Sequence, residues 1–313
     1  MDKTLSKELR DHPVAMYLNS LQSQASKKTM LLALRRALAT KEAPMAGITG
    51  ADVFNFPWPT VTQSQIIELS AAMDNRGLSP ATISQTLTAV KKVMGHCFDM
   101  KMITGDELMR IQRVKNPKVD HNPQTGRYVP VEEMDKLKAV IKADETPAGK
   151  RDLAIIGWMW QNGPRSGEVC GAALRDFNPK TGEIIIRHGK GDKSRLNRLH
   201  NGALDAMNSW IETRGSWPGP LFVKLDKHGN TIKSETYLKT NTINKMLQKR
   251  IRQSKIDHCS PHDFRRTFVT DEIKNNGIRN AQLVVGHSSS ATTSMYDRAP
   301  IDEALQLAGD RQF

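Results

Sequence analysis

"SPHDFRRTFVT", residues 260–270, decides how the C-terminal half of this chain is read. Ser260 is a good helix N-cap, and Pro261 suits the first helical position, where its missing N–H has no partner to lose. His262 and Arg265 then stand three residues apart on one helical face, and Arg266 follows at once. The N–H groups of a first helical turn favour an anion, and here an imidazole and a guanidinium face the same spot. A basic helix start that is merely solvated is the plain alternative, so the rest of the chain has to decide.

Downstream, "NAQLVVGHSSS" carries a short apolar helix into Gly286 and His287, and "ATTSMYDR" places Tyr296 nine residues after His287. Upstream, "PVEEMDKLKAVIKA", "GKRDLAIIGWMWQNG", "GALDAMNSWIETRG" and "NTINKMLQKRIRQS" read as helices. They flank one hairpin, "TGEIIIRHGKGDKSRLNRLH" (181–200). In it Ile184–Ile186 form a short apolar strand, "GKGD" supplies turn chemistry, and the partner strand carries Leu196 and Leu199. Trp158 and Trp160 read as core. Lys190 sits between two glycines in the hairpin turn. In "QNGPRSGEVCGAALRDF", Arg165 stands where a Gly-Pro turn meets a helix start, with Glu168 on the same face.

The first 118 residues read as helical too. In "LSPATISQTLTAVKKVM", Ser79 is an N-cap, Pro80 the first helical residue, and Ile83, Leu87, Val90 and Met94 one buried stripe. Lys91 and Lys92 fall off that stripe and read as open to solvent or phosphate. Residues 26–39 and 61–77 make two more helices. "RVKNPKVDHNPQTGRYVP" (113–130), with three prolines and no apolar period, reads as an extended basic linker.

At 313 residues, two domains are the default. Lys+Arg exceed Asp+Glu by 46 − 33, a net charge of +13. That points to a polyanion, nucleic acid first and an anionic membrane surface as the competitor. No run of about 18 apolar residues and no signal peptide is seen, which argues against a spanning segment. Cys97, Cys170 and Cys259 are far apart with no CxxC spacing, which suggests neither a zinc site nor a disulfide framework and fits a reducing, intracellular compartment.

Taken in order, "GPRSGE", "GKGDKSR", "HDFRRT", "VGH" and the tyrosine nine residues on resemble the tyrosine recombinases, or phage integrases. The resemblance is strong over 150–298 and supportive over 10–118. It implies a mainly α fold with a small antiparallel β-sheet in the catalytic domain, in a two-domain DNA clamp. The division would be a helical, SAM-like core DNA-binding domain (1–118), a linker (119–129) and a tyrosine recombinase catalytic domain (130–313). No separate arm-binding domain is expected.

The same resemblance implies the roles. Arg165 and Arg265 are the phosphate-clamping pair, Lys190 the hairpin lysine, His262 the first histidine, His287 the position held by histidine or tryptophan, and Tyr296 the nucleophile. Glu168 is the acidic residue that braces the site. Lys91, Lys92, Lys193, Arg195 and Arg266 are candidate DNA contacts. Pro164, Phe264 and Arg266 depart from the family pattern, where an aliphatic residue, a leucine and often a second histidine stand; none removes a catalytic group.

The implied reaction breaks and rejoins DNA through a 3′-phosphotyrosyl bond and a Holliday junction, with no metal, no ATP and no cofactor. The implied partners are double-stranded DNA, a dimer on each site and a homo-tetramer across two, with accessory DNA-bending or directionality proteins allowed for. The implied setting is the bacterial cytoplasm and nucleoid, with a phage or mobile element as a source. Rival readings are a type IB topoisomerase and a DNA-binding regulator that has lost the chemistry. Taken singly, Arg165 and Glu168 could be a helix salt bridge, and Lys193 could replace Lys190.

Overall fold

A computed structural model describes residues 11–39, 45–118, 126–187 and 194–286. The chain divides into two compact units, 1–121 and 122–313.

The N-terminal unit contains helices α1 (Pro13–Ser20), α2 (Gln24–Leu38), α3 (Gly50–Asn55), α4 (Gln63–Asn75), α5 (Pro80–Asp99) and α6 (Gly105–Arg113). Its centre is α5. The Ser79 hydroxyl accepts the Thr82 N–H at 3.3 Å, satisfying one of the unpaired donors of the first turn. Ile83, Leu87, Val90 and Met94 form the buried stripe that their spacing requires, joined by Thr86, Ala89, Val93 and Cys97.

Lys91 departs from its reading as an open cation. Its ammonium donates to the Val114 carbonyl and, at 2.9 Å, to Asn116 Oδ1, and burial lowers its pKa. Lys92 is exposed. Asn116 also donates to Thr88 Oγ1 at 2.9 Å, so the start of the stretch read as a linker is packed onto α5.

The C-terminal unit comprises α7 (Val131–Lys142), α8 (Pro147–Asn162), α9 (Ser166–Gly171), β1 (Glu183–Ile186), β2 (Arg195–Arg198), α10 (Asn201–Arg214), α11 (Thr240–Ser254), α12 (Pro261–Asn276) and α13 (Ile278–Val285). The two strands pair antiparallel, Ile184 opposite Asn197 and Ile186 opposite Arg195. Ile184 and Ile186 turn inward while Ile185 faces solvent, the period-two alternation of a half-buried strand. On β2 the inward residue is Asn197, not Leu196, which is exposed. Asn197 Oδ1 accepts the Trp158 indole N–H at 3.2 Å, so a polar side chain is satisfied inside the core. Leu199 is buried just past the strand end.

The core joins α7, α8, α10 and α11 around Ile155, Trp158, Met207, Trp210 and Phe222. On α11, Arg250 is 1% exposed and pairs with Asp144 at 2.7 Å and Asp152 at 2.8 Å. The end of the linker is likewise tied down along α12. The Arg127 and Val129 amides donate to Asp263 Oδ1 and Thr267 Oγ1, both at 2.9 Å, and Tyr128 donates to Asp271 at 2.8 Å. Among the described residues no helix is long and apolar enough to cross a membrane.

Candidate active site

The site is built on two helix starts and one helix end. Helix α8 stops at Gly163, whose φ of +57° is a left-handed cap that favours glycine. Pro164 follows, and Arg165 is the N-cap of α9. Three residues on, Glu168 turns back and grips Arg165 twice. One carboxylate oxygen accepts the Arg165 backbone N–H at 2.7 Å, and the other accepts Nη1 at 2.9 Å. The bland salt bridge and the bracing role are therefore the same contact.

A second guanidinium shares that carboxylate. Arg195, the first residue of β2, donates to Glu168 through Nη1 at 2.9 Å and Nη2 at 2.6 Å, and through Nε to the Val284 carbonyl at 3.1 Å. Burial works to raise the Glu168 pKa, but the Arg195 hydrogen bonds and charge, then Arg165, outweigh it and hold it below the ordinary carboxylate range. With its side chain only 10% exposed, Arg195 is an internal brace rather than the surface DNA contact its sequence position suggests.

Helix α12 supplies the other half. Arg265, 1% exposed, donates to the Gly163 carbonyl at 2.7 Å and to the Val285 carbonyl at 2.9 Å. It thus ties the turn before Arg165 to the end of α13. The first turn of α12 carries an acidic cap of its own. The Ser260 amide and hydroxyl both donate to Asp263 Oδ2 at 2.8 Å, so the helix provides its own carboxylate there. His262 is exposed beside it. Enclosure by protein around its ring, then the charges of Arg265 and Arg266, hold its pKa below 6.5; Asp263 opposes this and Arg165 adds to it. Arg266 lies against the Gly126 backbone: a Cβ there would stand 3.0 Å from its guanidinium carbon.

Arg165, Glu168, His262 and Arg265 are therefore brought into one cationic cluster, with Arg195 inside it and Arg266 at its border. Lys91 and Lys92 belong to the N-terminal unit. Lys190, Lys193, His287 and Tyr296 lie outside the described residues, as does the tail beyond them. Among the described residues no group of three or more His, Cys, Asp or Glu is placed to hold a metal ion.

Asp263 and Arg127 also belong to the site's surroundings. Asp263 was findable, since Ser260-x-x-Asp263 is a capping-box spacing with a shorter acid. Arg127 pairs with Glu133 six residues on, but the carbonyls of Asp257 and His258 that it also meets lie about 130 residues away, which no local pattern shows.

Two guanidiniums beside a neutral imidazole suit a tetrahedral phosphate, because guanidinium is planar, always charged and donates in parallel pairs. Residues 129–301 match the model of the phage integrase family. This chain belongs to the phage integrase family. It is a tyrosine recombinase, an enzyme of site-specific DNA recombination through a covalent tyrosine intermediate.

Among its relatives, a protein named tyrosine recombinase XerC from Actinobacillus pleuropneumoniae is 26% identical over 292 residues, 92% of this chain and 88% of the relative. In fold, the chain is similar to lambda integrase in a tetramer bound to a Holliday junction, with TM-score 0.64, 14% identity, and 92% and 76% of the two chains covered. It is also similar to the Tn1549 transposon integrase in complex with a circular intermediate DNA, with TM-score 0.64, 17% identity, and 95% and 98% covered. These likenesses are of fold, which in this chain is mainly helical with a small antiparallel sheet.

Proposed function

We propose that this recombinase cuts one DNA strand with Tyr296 while Arg165 and Arg265 hold the non-bridging oxygens of the scissile phosphate. The observation that carries this reading is the link between the arginines: Arg265 is bonded to Gly163, two residues before Arg165, and the charges of both act on His262. Arg165, with its side chain 29% exposed, and the buried charge of Arg265 stand beside one imidazole whose pKa is lowered, and this supports a phosphoryl-transfer site.

The Tyr296 oxygen bonds to phosphorus as the bond to the 5′ oxygen breaks. His262 takes the phenolic proton, and Lys190 delivers one to the leaving oxygen. His287 donates to the phosphate. The reverse sequence reseals the strand, so the phosphotyrosyl bond stores what ligation needs without ATP. Lys92, Lys193 and Arg266 add phosphate contacts.

The lambda integrase neighbour is a tetramer on a Holliday junction. On that pattern the chain works as a dimer on each site and a tetramer across two, in the cytoplasm, on chromosomal or mobile-element DNA. The tail carrying Ile301, Leu305 and Leu307 would dock on a neighbouring protomer.

The test uses a nicked suicide duplex whose site is first selected from random-sequence DNA by binding to the full chain. Wild type should become covalently attached. Tyr296→Phe should bind without attaching, and Arg165→Ala should attach about 10²–10³-fold more slowly. Equal attachment by the Phe variant removes Tyr296 from its role.

A further inference from the structure

We propose that Arg195 is a positioning residue for strand cleavage: it holds strand β2, the Glu168–Arg165 pair and the C-terminal end of α13 in one register. This rests on the reading that Arg165 holds the scissile phosphate.

All three guanidinium nitrogens of Arg195 are directed inward. Two meet Glu168 in parallel and the third meets the Val284 carbonyl. This is the planar, three-point geometry that an ammonium cannot reproduce. An independent feature of the backbone supports it. Gly286 caps α13 with φ +65°, and a Cβ there would stand 3.0 Å from Arg195 Cδ and 3.2 Å from its Nη1. The chain thus passes close against the guanidinium, in a left-handed conformation that favours glycine. Asn197, two residues along β2, donates to the same Val284 carbonyl at 3.4 Å, so the strand grips the helix end twice.

What hangs on this brace is visible in the chain order. Arg195 is five residues after Lys190, Glu168 is three after Arg165, and His287 directly follows Gly286. One side chain therefore touches, or stands within a few residues in sequence of, three segments that carry proposed site residues. Its action on the phosphate is indirect. It keeps Glu168 ionised and in place, and Glu168 holds both the main chain and the guanidinium of Arg165. The charged groups around Glu168 are Arg165 from its own turn, Arg195 from β2 and, across the adjoining cavity, Arg175, Asp176 and Arg187.

The experiment measures DNA affinity and single-turnover cleavage by the full chain between about pH 5.5 and 8.5. It compares wild type, Arg195→Gln, Arg195→Lys and Arg195→Gln/Glu168→Gln, with Arg165→Ala alongside. Arg195→Gln should bind DNA within about threefold of wild type yet cleave on the order of 10²-fold more slowly, the cost of a misplaced donor. It should also gain an acid-side loss of rate, because Glu168 now faces burial with Arg165 alone and takes up a proton at higher pH. The double variant, which has no carboxylate to protonate, should lose that added limb. Arg195→Lys keeps the charge and should be slow without the added limb.

Three results overturn the proposal: a wild-type rate in Arg195→Lys; a deficit in Arg195→Gln that saturating DNA repairs, which makes Arg195 a DNA contact; or slow cleavage with no new pH dependence, which makes it a structural residue only. If Arg165→Ala cleaves normally, the reading of Arg165 falls separately, while Arg195 is still judged on its own profile.

Discussion

The Arg265 guanidinium donates to the Gly163 carbonyl at 2.7 Å, across 102 residues of sequence. The side chain expected to hold one phosphate oxygen thus also sets the turn that aims the other arginine. Gly163 cannot be changed without disturbing this. It lies at φ +57°, and a Cβ would come 2.9 Å from the Phe268 ring. Gly163→Ala should lower the unfolding free energy by about 1–3 kcal/mol, read from the denaturant midpoint. It should also slow cleavage beyond what the folded fraction explains, because Arg165 moves with the turn.

His262 predicts the acid limb of the reaction. Its folded pKa is lowered from 6.5 by enclosure and by Arg265, Arg266 and Arg165, so near neutrality it is unprotonated and able to accept the tyrosine proton. Single-turnover cleavage should therefore fall toward acid with a midpoint below 6.5, and His262→Asn should be slower and lack that limb. Stability follows the same sign. Below 6.5 the unfolded chain takes up a proton that the folded one resists, so the contribution of this residue is lost as pH falls toward its folded pKa. A wild-type midpoint above 6.5 would contradict the arrangement of charges described for the ring.

Much of this was legible in the residues, and the reason is local. The helices over 80–99 and 261–276 follow from caps and apolar periods that need no tertiary knowledge. Arg165, Glu168, His262 and Arg265 are legible because each sits at a helix start with a motif around it. Other features were hidden because their partners are remote. The apolar residues read on the partner strand are Leu196 and Leu199, but Leu196 is exposed, and Asn197, bonded to the Trp158 indole, is inside. Lys91, Arg195 and Arg250 all read as surface cations. Each is claimed by oxygens distant in sequence: Val114 and Asn116, Glu168 and Val284, Asp144 and Asp152. A positive charge in a sequence says nothing of whether its counter-charge is a phosphate or part of the fold.

Asp263 joins the end of the linker to the first turn of α12, accepting from Ser260 and from the Arg127 amide. Asp263→Asn removes a charged cap and should cost about 1 kcal/mol in thermal or chemical denaturation. Its effect on His262 separates it from a generic cap. The Asp263 charge raises the His262 pKa, so its loss should move the acid limb of cleavage to still lower pH. A limb that stays in place would show that the two groups are not coupled.

Arg250 tests how much of the catalytic unit depends on buried charge. It is 1% exposed and pairs with Asp152, which is 3% exposed and also accepts from Arg151 at 2.9 Å. Arg250→Met removes one partner and leaves carboxylates facing an apolar side chain, a loss commonly worth about 3–5 kcal/mol. The low end is expected because Arg151 remains on Asp152. DNA affinity, corrected for the folded fraction, should be unchanged. A fall in affinity with full stability would make Arg250 a DNA contact instead.

Lys91 and Lys92 are adjacent, yet the fold gives them opposite roles. Lys91 spends its ammonium on Val114 and Asn116, and its pKa is lowered by burial. Lys92 is exposed on α5. A lysine that neutralises a phosphate releases a counterion on binding, so its removal weakens affinity at low salt and flattens the dependence on salt. Lys92→Ala should therefore lower DNA affinity and reduce the slope of log affinity against log salt by about one. Lys91→Ala should leave that slope alone and instead lower the melting temperature, since it strips the cation that ties the end of α6 to α5. Titrations of both variants at several salt concentrations, beside their melting curves, decide the assignment. Equal slopes for the two would mean that the bonds of Lys91 give way to DNA.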